Sequence, residues 1–386
     1  MEMRTRMAAL LTAIVIMSAT LLSGCWNLTE IDQLAVVAGV AIDKGQNDRL
    51  RITVETVEVG FGKESEPKPR ILTMEGETIF DAVRHIVSML GKRLYWSHAK
   101  VVIICPELAE DGVLQVLDWF SRDSETRTDI NILVSKGVTA SEILMSHPIS
   151  ETVVSYEIHK ILDSQKRLNH APDIEVWKFA NEMESKGIAA IAPVVELKSV
   201  DSVKGPNVDG TAIFRGDKLS GFADGIDTMC LLFIRDEISG GILVVKEEDR
   251  GKENEASLEI LNSKTKVSPV IRNGSVEIDI SVKTDVAIDE INTSINMMTE
   301  DRRNKLRLAA ENMLKARIEG IIEKAQKEYA ADIFGFGDKL RKKHPSAWSI
   351  MEQDWHNTFK DLKTNVEVEV QISNSTMLSK PLEVGY

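Results

Sequence analysis

The stretch KTKVSPVIRNGSVEIDISV, residues 264–282, carries the local signals from which the fold can be predicted. Its centre, Asn273-Gly274, is a two-residue turn signal, because the favoured hairpin turn requires positive φ angles that Asn and Gly tolerate. After the turn, apolar residues alternate with polar ones along one strand, at Val276, Ile278, Ile280 and Val282. This pattern predicts a hairpin whose second strand buries one face and exposes the other.

The same alternation recurs near the end of the chain, in NVEVEVQI at residues 365–372. We predict that this segment pairs with the strand at 276–282. Residues 300–330 carry the longest helical pattern, with an apolar stripe formed by Ala310, Met313, Leu314, Ile318, Ile321, Ala325 and Tyr329. The stripe predicts a helix packed on the sheet. A coiled-coil partner is the weaker alternative, because no strict heptad repeat is sustained.

Strand and helix signals alternate between residues 50 and 147, which predicts an α/β region. The segment LRITVETVEV at 50–59 has the period of a half-buried strand. Thr78, with Asp81 three residues later, resembles a capping box that starts a helix running to about Leu90. A mostly helical piece follows at residues 151–186.

Turn-forming residues cluster in SVDSVKGPNVDG, residues 199–210, and predict a domain boundary there, with a new domain starting near Gly210. The next segment, TAIFRGDKLSGFAD, predicts a hairpin that turns at residues 215–217. The charged stretch KEEDRGKENEA, residues 246–256, is typical of a solvated loop. The region after the boundary therefore reads as hairpins and one long helix.

At the amino terminus, a flank with two arginines precedes an uncharged run from Met7 to Leu22. The run has about the length of a secretory signal and falls short of the roughly 20 residues that cross a bilayer. The tetrapeptide LSGC, residues 22–25, places small residues before a thiol that a diacylglyceryl group can alkylate. We predict that residues 1–24 are a lipoprotein signal peptide, cleaved after Gly24, and that Cys25 carries the lipid. An uncleaved anchor helix is the alternative.

The chain is acidic, with a formal net charge of −13 at pH 7. It has no basic stripe of the kind that follows a phosphate backbone, which argues against nucleic acid as a partner. Anionic lipid would repel such a surface, so membrane attachment should come from the lipid anchor and from protein partners. Cys105 and Cys230 lie in the apolar runs VVIIC and MCLLF and are predicted to be buried free thiols.

The sequence offers little catalytic chemistry. Two Gly-Phe-Gly triplets, at residues 60–62 and 335–337, lack the third glycine of a dinucleotide loop. His98 and His344 have no partners at metal-ligand spacing. No nucleophile, zinc or phosphate motif is present. We therefore predict no catalytic site, no cofactor and no metal, and interpret the chain as an exported, lipid-tethered binding or assembly component.

The closing motif DIFGFGDKLRKKHPSAWSIMEQDW, residues 332–355, combines aromatic and basic residues. Its glycines lower helix propensity, so packing should hold the segment. The aromatic residues predicted to anchor it are Phe334, Trp348, Trp355 and Phe359. The basic residues predicted to form a partner surface are Lys339, Arg341, Lys342 and Lys343.

Four segments together resemble the lipoprotein C subunits of nutrient germinant receptors in endospore-forming bacteria, the Ger(x)C family. They are CWNLTEIDQLAVVAGVAID (25–43), WSHAKVVIICPELAEDGVLQVLDWFSRD (96–123), GTAIFRGDKLSGF (210–222) and ADIFGFGDKLRKKHPSAWSIMEQDW (331–355). The resemblance spans essentially the whole chain after the signal peptide. One departure is Asn27, where these proteins often have an acidic residue.

The resemblance implies a non-enzymatic subunit, displayed by its lipid on the outer face of the spore inner membrane. It would work with two integral membrane receptor subunits, one of them similar to amino-acid transporters, to trigger spore germination. The family is three-domain, which implies an N-terminal α/β domain at 25–204, a middle domain at 205–265 and a C-terminal α+β domain at 266–386. The expected fold class is thus α/β (α+β), with mixed sheets flanked by helices.

Two rival classes fit an anchored, exported protein. A lipid-anchored solute-binding protein of a transporter would have two similar α/β lobes hinged about a ligand cleft, and an anchored hydrolase comes third.

Overall fold

The computed structural model describes residues 1–21, 33–47, 49–58, 68–123, 125–249, 252–292 and 300–373. The chain forms two β-sheets flanked by helices, preceded by helix α1 (Glu2–Leu21). This multi-domain α+β architecture confirms the predicted fold class. None of the helices in the described ranges is long and apolar enough to cross a membrane.

The first sheet is mixed and holds nine of the described strands. They are β1 (Leu34–Lys44), β2 (Leu50–Glu58), β3 (Lys68–Gly76), β4 (Arg93–Tyr95), β5 (Val101–Ile104), β6 (Asn131–Ser135), β7 (Ile191–Val200), β8 (Val203–Arg215) and β9 (Lys218–Ala223). Their order is β3-β2-β1-β5-β6-β7-β8-β9, with β4 beside β1. The central strands β1, β5, β6 and β7 are parallel and the outer pairs antiparallel. All four side chains of β5 are buried, as expected for an apolar strand covered on both faces.

Seven helices accompany this sheet along the described chain. They are α2 (Ile79–Leu90), α3 (Pro106–Asp111), α4 (Leu114–Arg122), α5 (Ala140–Leu144), α6 (Val154–Asp163), α7 (Val176–Glu184) and α8 (Gly225–Arg235). Thr78 caps α2 by accepting a hydrogen bond from the Asp81 amide, and α2 ends before Gly91 in the left-handed conformation. Both ends of this helix lie where the sequence predicted them.

The second sheet consists of β10 (Ile242–Asp249), β11 (Lys252–Arg272), β12 (Ser275–Asn292) and β13 (Lys363–Ser373), in that order. Asn273 and Gly274 turn the β11–β12 hairpin with φ angles of 50° and 78°. β13 lies parallel to β12, with Val366 opposite Ile280. The predicted hairpin and the predicted pairing of 365–372 with 276–282 are both confirmed.

Helix α9 (Glu300–Lys324) covers one face of the second sheet with the predicted apolar stripe. Its buried residues include Ala310, Leu314, Ile318 and Ile321. A π-helical turn, Ala325–Tyr329, ends the helix at Ala330, whose φ is 50°. Three short helices then lead into β13: α10 (Phe336–Lys343), α11 (Pro345–Met351) and α12 (Trp355–Lys360).

The predicted boundary segment and the predicted charged loop both lie in β-hairpins of the structure. Residues 199–210 lie in the β7–β8 hairpin, which turns at Asp201 and Ser202 with φ angles of 48° and 72°. Part of this turn-forming signal is therefore the tight turn of a hairpin, and the domain boundary predicted for the segment stays a prediction. In the charged stretch 246–256, the described residues belong to β10 and β11, which pair up to Asp249 and Lys252. Cross-strand pairing stabilises this hairpin despite its charge.

The predicted borders of the three domains lie inside strands. The first, between residues 204 and 205, falls in β8, and the second, between 265 and 266, falls in β11. Helix α8 contacts strands of both sheets, so its buried side chains belong to one continuous core. The three-domain division stays a prediction.

Candidate functional sites

The predicted lipidation positions, Gly24 and Cys25, lie outside the described residues. Cys105 and Cys230 are buried and free, which confirms the sequence prediction for both. Burial raises the pKa of each thiol to about 12. At neutral pH neither sulfur is present as the thiolate that reacts with lipid donors, oxidants or metals.

The predicted partner surface lies on α10, and we refer to it as the α10 patch: Lys339, Arg341, Lys342 and Lys343. Lys339 is half-buried and the other three are exposed. Arg341 lies 3.2 Å from a carboxylate oxygen of Asp338 on the same helix. Three of these cations occupy the last turn of α10, where the helix dipole favours positive charge. Ile350, on the neighbouring helix α11, is an apolar side chain that is 82% exposed.

A network of paired charges on the second sheet borders the α10 patch. The Arg272 guanidinium contacts both carboxylate oxygens of Asp279, at 2.8 and 2.7 Å, and one oxygen of Glu277 at 2.9 Å. Hydrogen bonds from Arg272 and Asn365, with a smaller contribution from the charge of Lys343, lower the pKa of Asp279. The carboxylates of this network are already partnered, and among the described residues Asp338 is the carboxylate that pairs with a cation of the α10 patch.

The aromatic residues of the closing motif lie beneath this surface. Phe334 and Phe336 stack with ring centroids 5.0 Å apart, and Trp348 meets Trp355 edge-on at 5.3 Å. These four rings and Phe359 are all buried. Their packing confirms the prediction that they anchor the short helices.

The Asp332 side chain is the central hydrogen-bond acceptor of the closing motif. Its carboxylate is buried and accepts hydrogen bonds from the amides of residues 334–337 and from the Trp355 indole Nε1. Burial raises the pKa of Asp332 to about 6, although these donors oppose the shift. A side chain at Gly337 would collide with the backbone of Gly187 and the ring of Trp355, because the ideal Cβ position is 2.7 Å from each. The motif therefore requires both its aspartate and this glycine.

A buried ion pair ties the motif to the first sheet. The Arg235 guanidinium on α8 contacts Glu182 on α7 at 2.7 Å, and the two side chains are only 4% and 10% exposed. Arg235 also donates to the carbonyl oxygen of Ile333 at 2.7 Å. The Ala189 amide donates to the Asp332 carbonyl oxygen, also at 2.7 Å. The closing motif thus joins the two sheets.

A small cavity of about 130 Å³ lies at this junction, lined in part by Asp332, Arg215 and His356. The buried Nε2 of His356 has no hydrogen-bond partner in the described chain. Burial and the nearby charges of Arg215 and Lys360 lower the pKa of His356. No cluster of side chains suited to a metal ion occurs among the described residues. We interpret this cavity as part of the junction between the sheets.

A larger cleft, which the sequence did not predict, lies between α2 and α4. Its volume is about 600 Å³, and its lining includes Phe80, Arg84, Gln115, Trp119 and Arg122. Phe80 and Arg84 are one helical turn apart, as are Gln115 and Trp119. The spacing was visible in the sequence, but an ordinary amphipathic helix has the same pattern, so only the pairing of α2 with α4 shows a cleft.

Two family models match the chain and together cover most of it. The one described as the spore germination protein N-terminal domain matches residues 27–197. The one described as spore germination B3/GerAC like, C-terminal, matches residues 209–376.

Curated relatives align over almost the full length. Spore germination protein B3 of Bacillus subtilis (strain 168) is 26% identical over 370 residues, covering 93% of this chain and 96% of the relative. Spore germination protein KC of the same organism is 24% identical, with 97% of each chain covered. The crystal structure of the GerBC protein is 22% identical and superposes with a TM-score of 0.57, covering 86% of this chain and 96% of that one. This structural likeness concerns the fold.

Proposed function

The chain belongs to the GerAC-like family of spore germination proteins, and from that premise we propose that it is the lipid-anchored C subunit of a nutrient germinant receptor. The observation that carries the proposal is the end-to-end match to this family. Relatives named as spore germination proteins align over more than nine-tenths of this chain. In this role the protein takes part in triggering germination as a non-enzymatic component.

Membrane attachment in this proposal depends on Cys25. The sequence places a positively flanked apolar run and small residues before this thiol. Two acyl chains hold a soluble domain at a membrane far more firmly than one. Confinement to a thin layer raises the effective concentration toward membrane partners, so weak contacts suffice. We place the folded part on the outer face of the spore inner membrane.

The proposed partners are two integral membrane subunits, one of them resembling amino-acid transporters. The α10 patch is the surface that we assign to them, because its cations are accessible on an otherwise acidic protein. The underlying aromatic cluster and the Asp332 hydrogen bonds hold α10 in place, which limits the entropy that a contact there would cost.

The rival solute-binding protein has less support. It requires two similar lobes about a hinge, whereas the nine described strands of the first sheet and the four-stranded second sheet differ in size and strand order. The closing motif also bonds the two sheets together through buried groups, which opposes hinge motion.

The anchor can be tested by expressing the full-length chain with an alkyne analogue of palmitate in a host that lacks the receptor's membrane subunits. The wild-type protein should take up the label and sediment with membranes, and mass spectrometry should find Cys25 at the mature amino terminus. Cys25→Ala should lose both label and sedimentation. Cys105→Ala is the matched control, because it deletes a buried thiol, and should retain both. If Cys25→Ala stays on the membrane as fully as the wild type, the lipid anchor is not what holds the protein there.

A further inference from the structure

The cleft between α2 and α4 is separate from the α10 patch and from the lipidation position. Its floor and one wall are apolar: Leu50 and Ile79 are 5% and 3% exposed, whereas Phe80 is 48% exposed at the opening. A volume of about 600 Å³ falls in the range of small-molecule sites. The cleft is therefore large enough for an organic ligand with an apolar body.

Trp119 forms a fixed part of the wall. Its ring lies edge-on to Trp96, at 4.9 Å between centroids, and to Phe120 at 4.7 Å. Its Nε1 is buried and has no hydrogen-bond partner in the described chain. A buried donor without a partner is costly and uncommon. Because this nitrogen is buried, Trp119 offers a bound molecule its ring face and not this donor.

Two exposed side chains of the cleft carry donors that make no hydrogen bond within the described chain. The Arg84 guanidinium lies 4.7 Å from the centroid of the Phe80 ring, and among the described residues it contacts no carboxylate. Gln115 lines the cleft from α4, and its side-chain amide makes no hydrogen bond within the same ranges. Arg84 is thus a cation held beside an aromatic face, which is a suitable position for the charged end of an anionic ligand.

The carboxylates along the other side of the cleft are already engaged. Asp118 accepts from the Arg122 guanidinium at 2.6 Å. Glu125 accepts from Arg93 at 3.2 Å, and Asp123 accepts from the Glu125 amide at 2.8 Å. Each carboxylate of the lining thus accepts at least one hydrogen bond, whereas the Arg84 and Gln115 donors make none within the described chain. Their complement is an acceptor-rich, negatively charged group.

We propose that this cleft binds a small organic carboxylate with an aromatic or other apolar body. The apolar part lies against Phe80 and Trp119, and the carboxylate accepts hydrogen bonds from Arg84 and Gln115. This site is independent of the proposed receptor role, since it involves neither the anchor nor the α10 patch.

Phenylacetate is the probe that tests the site, with phenethylamine and phenylethanol as nearly isosteric cationic and neutral compounds. Saturation-transfer NMR and calorimetric titration with the purified full-length protein should show binding of phenylacetate and much weaker binding of the other two. Arg84→Gln should weaken phenylacetate binding by about ten-fold or more, since charge-assisted hydrogen bonds to carboxylates are strong. Gln115→Ala should weaken it by a smaller factor.

Arg167→Gln is the matched control, because Arg167 is an exposed arginine remote in sequence from the cleft. It should bind phenylacetate like the wild type, and all three variants should keep the wild-type unfolding midpoint. The proposal is overturned if phenylacetate does not bind, if phenethylamine binds more tightly, or if Arg84→Gln and Arg167→Gln bind equally. These outcomes leave the lipid-anchor experiment unaffected, so the two proposals fail separately.

Discussion

Four buried carboxylates each bind backbone amides in place of a cationic side chain. Asp43 accepts from the first residues of α5, Glu55 from those of α6, Glu157 from the loop at 149–151, and Asp332 from the closing motif. Amide donors satisfy an anion that would otherwise be expensive to bury. At the starts of α5 and α6 they also complement the helix dipole. These four acidic residues therefore have a structural role in the interior of the protein.

We expect Asp332 to make stability depend on pH. Burial raises its pKa from 3.8 to about 6, so the folded state binds this proton more tightly than the unfolded state. The stabilisation from protonation is therefore complete below about pH 4 and is lost as the pH rises through about 6. Its full size is about 3 kcal/mol. Urea unfolding of the wild type and of Asp332→Asn, at several values between about pH 4 and neutral pH, measures this pH-dependent part of the stability.

The amide of Asp332→Asn cannot titrate, and its NH2 would face the donors of Gly337 and Trp355, so this variant should be less stable throughout. Its deficit relative to wild type should grow as the pH falls from neutral toward 4. Since Asp43 and Glu55, whose pKa values burial also raises, are unchanged in the variant, the difference isolates Asp332. Two parallel stability curves would contradict the assignment.

At the scale of an element, helix α10 has a buried apolar face and an exposed basic face. Its buried residues Phe336 and Leu340 pack into the core, and three of its four cations are exposed. The helix has only eight residues, and such short helices depend on packing for their stability. The structure therefore separates the part that holds α10 from the part that could bind a partner.

Substitution of a buried aromatic residue should mainly lower stability, whereas substitution of the exposed cations should mainly weaken partner binding. Trp348→Ala, on the adjacent helix α11, should lower the free energy of unfolding by about 3 kcal/mol or more, because removal of a buried indole leaves a large cavity. Replacing all four cations of the α10 patch by glutamine should cost about 1 kcal/mol, from the lost helix-dipole and surface ion-pair terms, but should weaken co-purification with the membrane subunits. Thermal unfolding and co-purification of both variants give the comparison. A stable Trp348→Ala protein that fails to bind partners would make the aromatic cluster the interface.

In the whole molecule, the closing motif and α8 join the sheets through the Glu182–Arg235 pair. Both partners are buried, and Arg235 also binds the Ile333 carbonyl oxygen. Removing one charge of such a pair leaves the other uncompensated in a low-dielectric site. The two sheets should therefore unfold together in one transition.

Glu182→Gln tests this coupling. We expect it to lower the free energy of unfolding by about 3 kcal/mol, because Arg235 keeps its buried charge without a counter-ion. Glu352→Gln is the matched control: Glu352 pairs with Lys186 at 3.0 Å, but these side chains are 35% and 68% exposed, and the loss should be under about 1 kcal/mol. Differential scanning calorimetry reports both the cost and the number of transitions. Equal effects of the two substitutions would show that the buried pair does not couple the sheets.

Much of the fold was predictable wherever a signal acts over a few residues. The ends of α2, the hairpin at Asn273-Gly274 and the buried stripe of α9 were located from capping, turn chemistry and periodicity. The polar turn residues around Asp201 form a tight hairpin turn in the structure, and the domain boundary predicted there stays a prediction. The residues of the α10 patch were selected from their charge alone. The α2–α4 cleft was not predicted, because each of its helices has the sequence pattern of an ordinary amphipathic helix.

The sequence by itself determined the acidic character, the inertness of the two described thiols, the local elements and the family of this protein. These properties depend on composition and on backbone preferences within a few residues. Only the tertiary structure decided which carboxylates are buried, which donors stay unpaired and how the sheets are joined. Glu55, for example, binds the amide of Val154, 99 residues away. No local preference specifies such a partner, because the contact forms only when packing brings distant segments together.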